Sequence, residues 1–296
     1  INFAPVVDIN INPENPIIGN RSFGESRENV SEKSTAFTKG IQSQYVLANA
    51  KHFPGHGDTA TDSHKALPII DFSWERLDSI ELYPYKELFR NKLASVMVAH
   101  LSVKALEPSS DLPTSISKNV ITGLLKEKMN FKGLILTDAL NMKGISNYVK
   151  PIEALPDATN SKNSSNQIQA GDIDLAAFMA GNDMLLMSEN VPEAILKIKN
   201  ALETNAISEE RLNFSVRKIL KAKYWAGLSE YEDVEVEGLS ENLNNIESEL
   251  LHRELVENSI TLLKNSGDIF PIKNLESKKI AYVKLGDSNH KDFVEM

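Results

Sequence analysis

The sequence predicts an α/β protein built on part of an eight-stranded (β/α)8 barrel of the TIM type. Short apolar runs alternate with stretches of helical periodicity through residues 1–228, which is the order expected of a parallel sheet. Polar residues recur where successive strands are expected to end, and a barrel collects such ends at one rim. These residues are Asp8, Lys51, His52, His100 and Asp138. An acidic linker at 229–246 then predicts a boundary, beyond which residues 247–296 begin a second α/β domain.

Five strands are expected in the barrel part, because five apolar runs are short enough to be buried strands: residues 1–9, 46–50, 95–99, 133–137 and 183–187. Segments with about one apolar residue per turn predict the helices between and after them: 31–44, 73–91, 117–129, 174–180, 191–205 and 211–226. A complete barrel needs eight such units of roughly 30 residues each. The missing units are therefore expected to precede Ile1.

Two further segments complete the predicted order. Residues 148–171 turn polar, and 160–169 are nearly devoid of apolar side chains, which predicts a surface insertion of low order. After the acidic linker, residues 247–264 have a helical pattern and 279–284 a strand pattern. They predict the opening of the second domain.

Composition excludes several classes of function. With 296 residues, 41% hydrophobic and 25% charged, the chain can bury a large core, and no apolar run reaches the length of a membrane span. The net charge of -9 disfavours nucleic acid as a partner, because a phosphate backbone would be repelled. The absence of cysteine excludes disulfides, thiolate metal sites and a cysteine nucleophile.

The loop 51–64, Lys-His-Phe-Pro-Gly-His-Gly-Asp-Thr-Ala-Thr-Asp-Ser-His, concentrates reactive side chains between residues that break helices. From the residues alone it could be a metal site, since histidine and aspartate offer nitrogen and oxygen ligands, although the spacings match no zinc helix motif. The candidate ligands are His52, His56, Asp58, Asp62 and His64. Asp62-Ser-His64 could equally be an ordinary turn, and Asp138 a helix N-cap.

Several longer segments carry a resemblance to a known family: Asn2-Phe-Ala-Pro-Val-Val-Asp8, Ile18-Gly-Asn-Arg-Ser-Phe-Gly24, Lys51-His-Phe-Pro-Gly-His-Gly-Asp58, Asp62-Ser-His64, Leu136-Thr-Asp-Ala-Leu-Asn-Met142, Ala180-Gly-Asn-Asp-Met-Leu-Leu186 and Ser215-Val-Arg-Lys-Ile-Leu220. They resemble the signature blocks of the family 3 glycoside hydrolases, in their β-N-acetylglucosaminidase branch. Glu257-Asn-Ser-Ile-Thr-Leu-Leu-Lys-Asn265 resembles the entry to that family's second, sandwich-like domain.

The resemblance implies a carbohydrate substrate and a retaining reaction. The expected activity is removal of terminal, non-reducing β-N-acetylglucosamine, often from cell-wall muropeptides, without a metal or another cofactor. Such substrates favour the bacterial periplasm or cell envelope as the location.

Residue by residue, the resemblance places the nucleophile at Asp138 and the acid/base pair at Asp62 and His64. In an extended loop, residues i and i+2 project to the same side, so Asp62 could orient the His64 ring. Sugar-binding roles are implied for Arg21, Lys51 and His52, while His56 and Asp58 are assigned to shaping the backbone.

Two other readings remain. A β-glucosidase or β-xylosidase of the family would, by the same resemblance, carry its acid/base in the second domain and lack the Asp-x-His of this loop. A non-catalytic sugar-binding homologue would keep the fold, but it would not need both Asp138 and the Asp62, His64 pair. The expected function is therefore that of the N-acetylglucosaminidase branch.

Overall fold

Six β-strands occur in the part of the chain that the computed structural model describes, which is residues 1–60, 67–108, 112–146, 148, 169–279, 281, 283 and 286. They are β1 (Asn49–Phe53), β2 (Ile69–Ile70), β3 (Ser95–Val98), β4 (Ser102–Val103), β5 (Leu134–Ala139) and β6 (Met184–Leu186). Strands β1, β3, β5 and β6 form one parallel sheet in that order, and β2 and β4 pair separately. Within the four-stranded sheet, the spatial order of the strands is the same as their order along the chain. This is the arrangement of a partial (β/α) barrel, which confirms the predicted fold class.

The N-terminal segment extends this sheet beyond β1. Parallel bridges join Asn2 to Ala48 and Val6 to Lys51, and the Val7 amide donates to the Lys51 carbonyl at 2.8 Å. The pairing is irregular because Pro5, in the middle of the segment, has no amide to donate. The predicted strand at 1–9 is thus a bridged, extended segment that brings Asp8 beside β1.

Helices cover the sheet in the first unit of the chain, Ile1–Tyr231. They are α1 (Arg27–Ser43), α2 (Trp74–Ser79), α3 (Tyr83–Arg90), a π-helix (Asn119–Lys128), α4 (Lys143–Ser146), α5 (Asp172–Ala180), α6 (Val191–Glu203) and α7 (Glu209–Trp225). Side chains at four N-caps accept from the first turn and so fix where α1, α2, α6 and α7 begin. These caps are Ser26, Ser73, Asn190 and Ser208.

Two predicted elements are corrected. The single helix expected at 73–91 is two helices, α2 and α3, because Pro84 lies in the first turn of α3 and cannot continue a preceding helix. The strand expected at 46–50 begins three residues later, after Tyr45 turns the chain with a left-handed φ of 56°. Lys51 and His52 therefore lie within β1 rather than beyond its end.

The main hydrophobic core lies between the sheet and its helices. Fully buried side chains from β3 and β5, such as Val96, Val98 and Ile135, pack in one cluster with Leu88 of α3 and Leu125 of the π-helix. Burying one such aliphatic side chain contributes about 1.5–3 kcal/mol. The core therefore fixes the strands whose ends carry the polar residues.

The second unit, Glu232–Met296, contains α8 (Leu239–Leu243) and α9 (Ile246–Ser259). The helix predicted at 247–264 ends at Ser259, because Ile260 takes an extended conformation. The predicted strand at 279–284 falls partly, and the core of the predicted insertion, 149–168, entirely outside the described residues. Among the helices that the structure describes, none is long and apolar enough to cross a membrane.

Candidate active site

A cavity of about 300 Å³ opens where the parallel strands end. Four of the residues predicted as site residues line it together: Arg21, Lys51, His52 and Asp138. The rest of its wall is formed by Phe3, Ile17, His56, Met97, Ala139, Leu186 and Met187. The other two predicted residues, Asp62 and His64, lie outside the described residues. The structure thus brings together one carboxylate, two cations and a histidine contributed by three separate segments.

Asp138 is the penultimate residue of β5, and its side chain is partly buried. Its carboxylate accepts from the Ala139 amide at 2.8 Å, and no other described residue donates to it. The backbone around it is fixed on both sides. The Thr137 hydroxyl accepts from the Leu186 amide at 3.0 Å, and His100 Nε2 donates to the Ala139 carbonyl at 3.0 Å. Asp138 is therefore a rigidly placed carboxylate that remains open to the cavity.

His100, one of the polar residues at the strand ends, supports this backbone rather than facing the cavity. Because the Ala139 carbonyl can only accept, His100 Nε2 carries the proton. His100 Nδ1 then accepts from the Ser115 hydroxyl at 2.7 Å. Burial lowers the pKa of His100 more than the charge of Asp138 raises it. His100 is thus a neutral, fully hydrogen-bonded residue of the wall.

Lys51 and Arg21 supply positive charge beside Asp138. Partial burial, together with repulsion from Arg21, lowers the pKa of the Lys51 ammonium below its ordinary value. The charges of Asp138 and Asp8 act in the opposite direction but are outweighed. Arg21 ends a short 3-10 turn, Gly19–Arg21, and its guanidinium donates to the Ile17 carbonyl at 3.2 Å. Both side chains can therefore donate hydrogen bonds to a neutral, oxygen-rich ligand held over Asp138.

The Asp8 carboxylate anchors the histidine-rich loop through hydrogen bonds to His52 and His56. It is buried, and its Oδ2 lies 2.7 Å from His52 Nδ1, while its Oδ1 accepts from the His56 amide at 2.7 Å. The His52 amide lies 3.2 Å from both carboxylate oxygens. Burial acts to raise the pKa of Asp8, but the charges and hydrogen bonds of His52 and His56 outweigh it and lower the pKa below its ordinary value.

His56 and Asp58, for which the family resemblance implies a role in shaping the backbone, are both hydrogen-bonded to nearby side chains. His56 is buried, its Nδ1 lies 2.7 Å from the Thr59 hydroxyl, and burial lowers the pKa of its ring. Asp58 accepts from Arg76 at 2.9 Å, and Arg76 also donates to Glu81 at 3.1 Å. Arg76 and Glu81 were missed by sequence reasoning, because nothing in the local pattern of α2 marks a partner 18 residues away.

The described residues do not form a metal site. No group of three or more histidine, cysteine or acidic side chains among them is arranged to hold an ion. Of the candidate ligands, Asp58 is directed to Arg76 and His52 to Asp8. A separate hollow of about 470 Å³ lies on the outer side of α3 and the π-helix, where Lys86 is paired with Asp78 at 2.7 Å. This hollow lies between helices rather than at the ends of the parallel strands, and its carboxylate, Asp78, is already paired with Lys86.

Gly57 provides a test of how tightly the loop is packed. A Cβ at this position would lie 1.9 Å from the Ile9 carbonyl oxygen, so Gly57→Ala must displace the backbone that carries Asp8 and the loop. We expect a loss of about 2–4 kcal/mol in the free energy of unfolding, measured by denaturant titration. Gly40→Ala is the matched control, because its Cβ would meet nothing within 4 Å on α1. That variant should gain about 0.5–1 kcal/mol, and an equal effect of both would contradict the close packing.

A partial (β/α) barrel with a carboxylate, cations and a histidine in one rim cavity has the arrangement of a barrel enzyme whose site suits a polar ligand. The chain belongs to glycoside hydrolase family 3. Residues 1–222 match the family described as "Glycosyl hydrolase family 3 N terminal domain". This confirms the resemblance that the sequence blocks carry.

Individual relatives agree with this family. Beta-hexosaminidase A of Pseudoalteromonas piscicida is 31% identical over 293 residues, covering 93% of this chain and 45% of the relative. A solved family 3 β-N-acetylglucosaminidase from Paenibacillus sp. is 37% identical with a TM-score of 0.78, covering 90% of this chain and 47% of the other. A solved beta-glucoside phosphorylase, BglX, is 26% identical with a TM-score of 0.76, covering 89% and 46%. The chain spans about half the length of these proteins.

Proposed function

We propose that the protein is a retaining glycoside hydrolase that removes terminal β-N-acetylglucosamine, with peptidoglycan fragments as its substrates. The observation that carries the proposal is the convergence of the Asp138 carboxylate with Arg21, Lys51 and His52 in one cavity at the strand ends. Cell-wall fragments as substrates would place the protein in the bacterial periplasm or cell envelope.

In this mechanism the Asp138 carboxylate attacks the anomeric carbon and forms a covalent glycosyl-enzyme, while the glycosidic bond breaks. The His64 imidazolium, oriented by Asp62, gives its proton to the departing oxygen. The neutral imidazole then takes a proton from water as that water attacks the intermediate, which releases the sugar with its configuration retained and restores both groups. Arg21, Lys51 and His52 hold the sugar through its hydroxyls and acetamide group.

The relatives leave a second candidate, because one relative, from Cellulomonas fimi, is named a beta-N-acetylglucosaminidase/beta-glucosidase and is 28% identical. The sequence Asp62-Ser-His64 favours the N-acetylglucosaminidase. This tripeptide would supply an acid/base within the barrel part of the chain. By the family resemblance, the β-glucosidases carry theirs in the second domain instead.

Turnover of p-nitrophenyl β-N-acetylglucosaminide and p-nitrophenyl β-glucoside by the full-length protein tests this choice. We expect kcat/KM to be at least roughly 100-fold higher for the N-acetylglucosaminide, because a site with polar groups placed for the acetamide leaves them unpaired with glucose. Comparable values, or a preference for the glucoside, would favour the second candidate. The same leaving group on both substrates serves as the control for chemistry outside the sugar.

A further inference from the structure

Asp8 is hydrogen-bonded to both the backbone and the ring of His52. Its carboxylate lies beneath the cavity, is 1% exposed, and meets three N–H groups that belong to His52 and His56. Its Oδ1 accepts from the His56 amide at 2.7 Å and from the His52 amide at 3.2 Å. Its Oδ2 is thereby placed against the His52 ring.

This geometry fixes the orientation of that ring. An ionised carboxylate can only accept, so His52 Nδ1, 2.7 Å from Oδ2, must carry a hydrogen. Nε2 lies on the opposite edge of the ring, and no residue in the described ranges bonds to it. Since His52 lines the same cavity as Asp138, Nε2 is left for a ligand.

We propose that Asp8 is a positioning residue, which holds His52 with Nδ1–H directed inward, so that the neutral ring presents an unprotonated Nε2 to the cavity, where Nε2 accepts a hydrogen bond from a substrate hydroxyl. The proposal rests on the proposed glycosidase function. Asp8 acts through His52 and does not itself contact the sugar.

The isosteric variant Asp8→Asn should change the tautomer of the His52 ring. The two backbone amides of His52 and His56 still need an acceptor, so the amide oxygen takes the place of Oδ1 and the NH2 group takes that of Oδ2. A donor then faces Nδ1, which must give up its hydrogen, and the hydrogen moves to Nε2. Nitrogen-15 shifts of the His52 ring should report Nδ1–H in the wild-type protein and Nε2–H in the variant.

Kinetics test whether this orientation matters for the substrate. We expect Asp8→Asn to lower kcat/KM for p-nitrophenyl β-N-acetylglucosaminide by roughly 10- to 100-fold, the effect of losing one well-placed hydrogen bond. In a His52→Ala background the same change should have little further effect on kcat/KM, because the ring it positions is gone. Equal losses in both backgrounds would overturn the proposal, since Asp8 would then act on structure alone.

Glu81→Gln is the matched control, because Glu81 is a second buried carboxylate under the same loop and contacts Arg76 rather than His52. It should change thermal stability without changing the His52 tautomer. A ring that stays Nδ1–H in Asp8→Asn would also overturn the proposal. If the wild-type protein does not hydrolyse the N-acetylglucosaminide, the proposed function fails, whereas the nitrogen-15 shifts still decide the role of Asp8.

Discussion

Replacing Asp138 with alanine is expected to lower turnover of aryl β-N-acetylglucosaminides by roughly 10,000-fold or more, because the variant has no carboxylate to form the glycosyl-enzyme. The fold should remain. The Asp138 side chain is partly buried, and the hydrogen bond described for it is to the amide of the next residue. Thermal unfolding of the variant should therefore stay close to that of the wild-type protein.

Azide identifies the step that is lost. In Asp138→Ala it can enter on the face that the carboxylate occupied, so rescue should give the α-glycosyl azide, with inverted configuration. A slow fluorinated N-acetylglucosaminide should label Asp138 covalently in the wild-type protein, as peptide mass spectrometry can show.

Asp78→Ala is the control for removing an acidic side chain elsewhere, since Asp78 pairs with Lys86 on the outer side of the barrel. It should retain wild-type kcat/KM. Labelling of a different carboxylate, or an Asp138→Ala variant with near wild-type turnover, would move the nucleophile away from β5.

The barrel could be predicted from the sequence because buried parallel strands are short apolar runs, and these runs are unambiguous at 95–99 and 133–137. The position of β1 could not, because Val46 and Leu47 are as apolar as a strand but precede its ladder. The π-helix Asn119–Lys128 was expected only as a helix. Its apolar spacing resembles that of an α-helix over ten residues, so the pattern does not distinguish the two.

The site was predictable where its residues stand at strand ends. Asp138 and Lys51 lie on two strands of one parallel sheet, β5 and β1, with β3 between them, and a parallel sheet brings the same ends of its strands to one rim. The contacts of Asp8 were not predictable. It meets His52 from 44 residues away, and only the bridged pairing of the N-terminal segment with β1 places the two side by side. Residues that act through a partner distant in sequence leave no local signal. The acid/base roles of Asp62 and His64 stay predictions.

His64→Ala tests that acid/base assignment, and its effect should depend on the leaving group. Positioned proton transfer contributes roughly 100- to 10,000-fold to rate. A disaccharide needs that proton to release its alkoxide, so glycosylation by β-1,4-linked N-acetylglucosamine disaccharides should fall by this amount. An activated phenol such as 2,4-dinitrophenol departs as an anion and needs no proton. Its first step should be spared, so its turnover becomes limited by deglycosylation.

Azide should then rescue the second step of His64→Ala, because it attacks the glycosyl-enzyme without a general base. Displacement from the side opposite Asp138 gives the β-glycosyl azide, with retained configuration, which distinguishes this variant from Asp138→Ala. Asp62→Ala should give a milder form of the same pattern, because the imidazole remains but loses its orienting carboxylate. The control is His252→Ala, an exposed histidine of α9 in the second unit, which should change neither substrate class.

The dependence on leaving group is what separates proton transfer from binding. A histidine that only holds the sugar would lower glycosylation by the disaccharide and the dinitrophenyl glycoside to the same extent, since both present the same N-acetylglucosamine to the cavity. Azide would then leave the rate unchanged, because no step would be waiting for a base. If His64→Ala behaves in that way, the acid/base must be sought outside the loop 51–64, and Asp62-Ser-His64 reverts to a binding or structural turn.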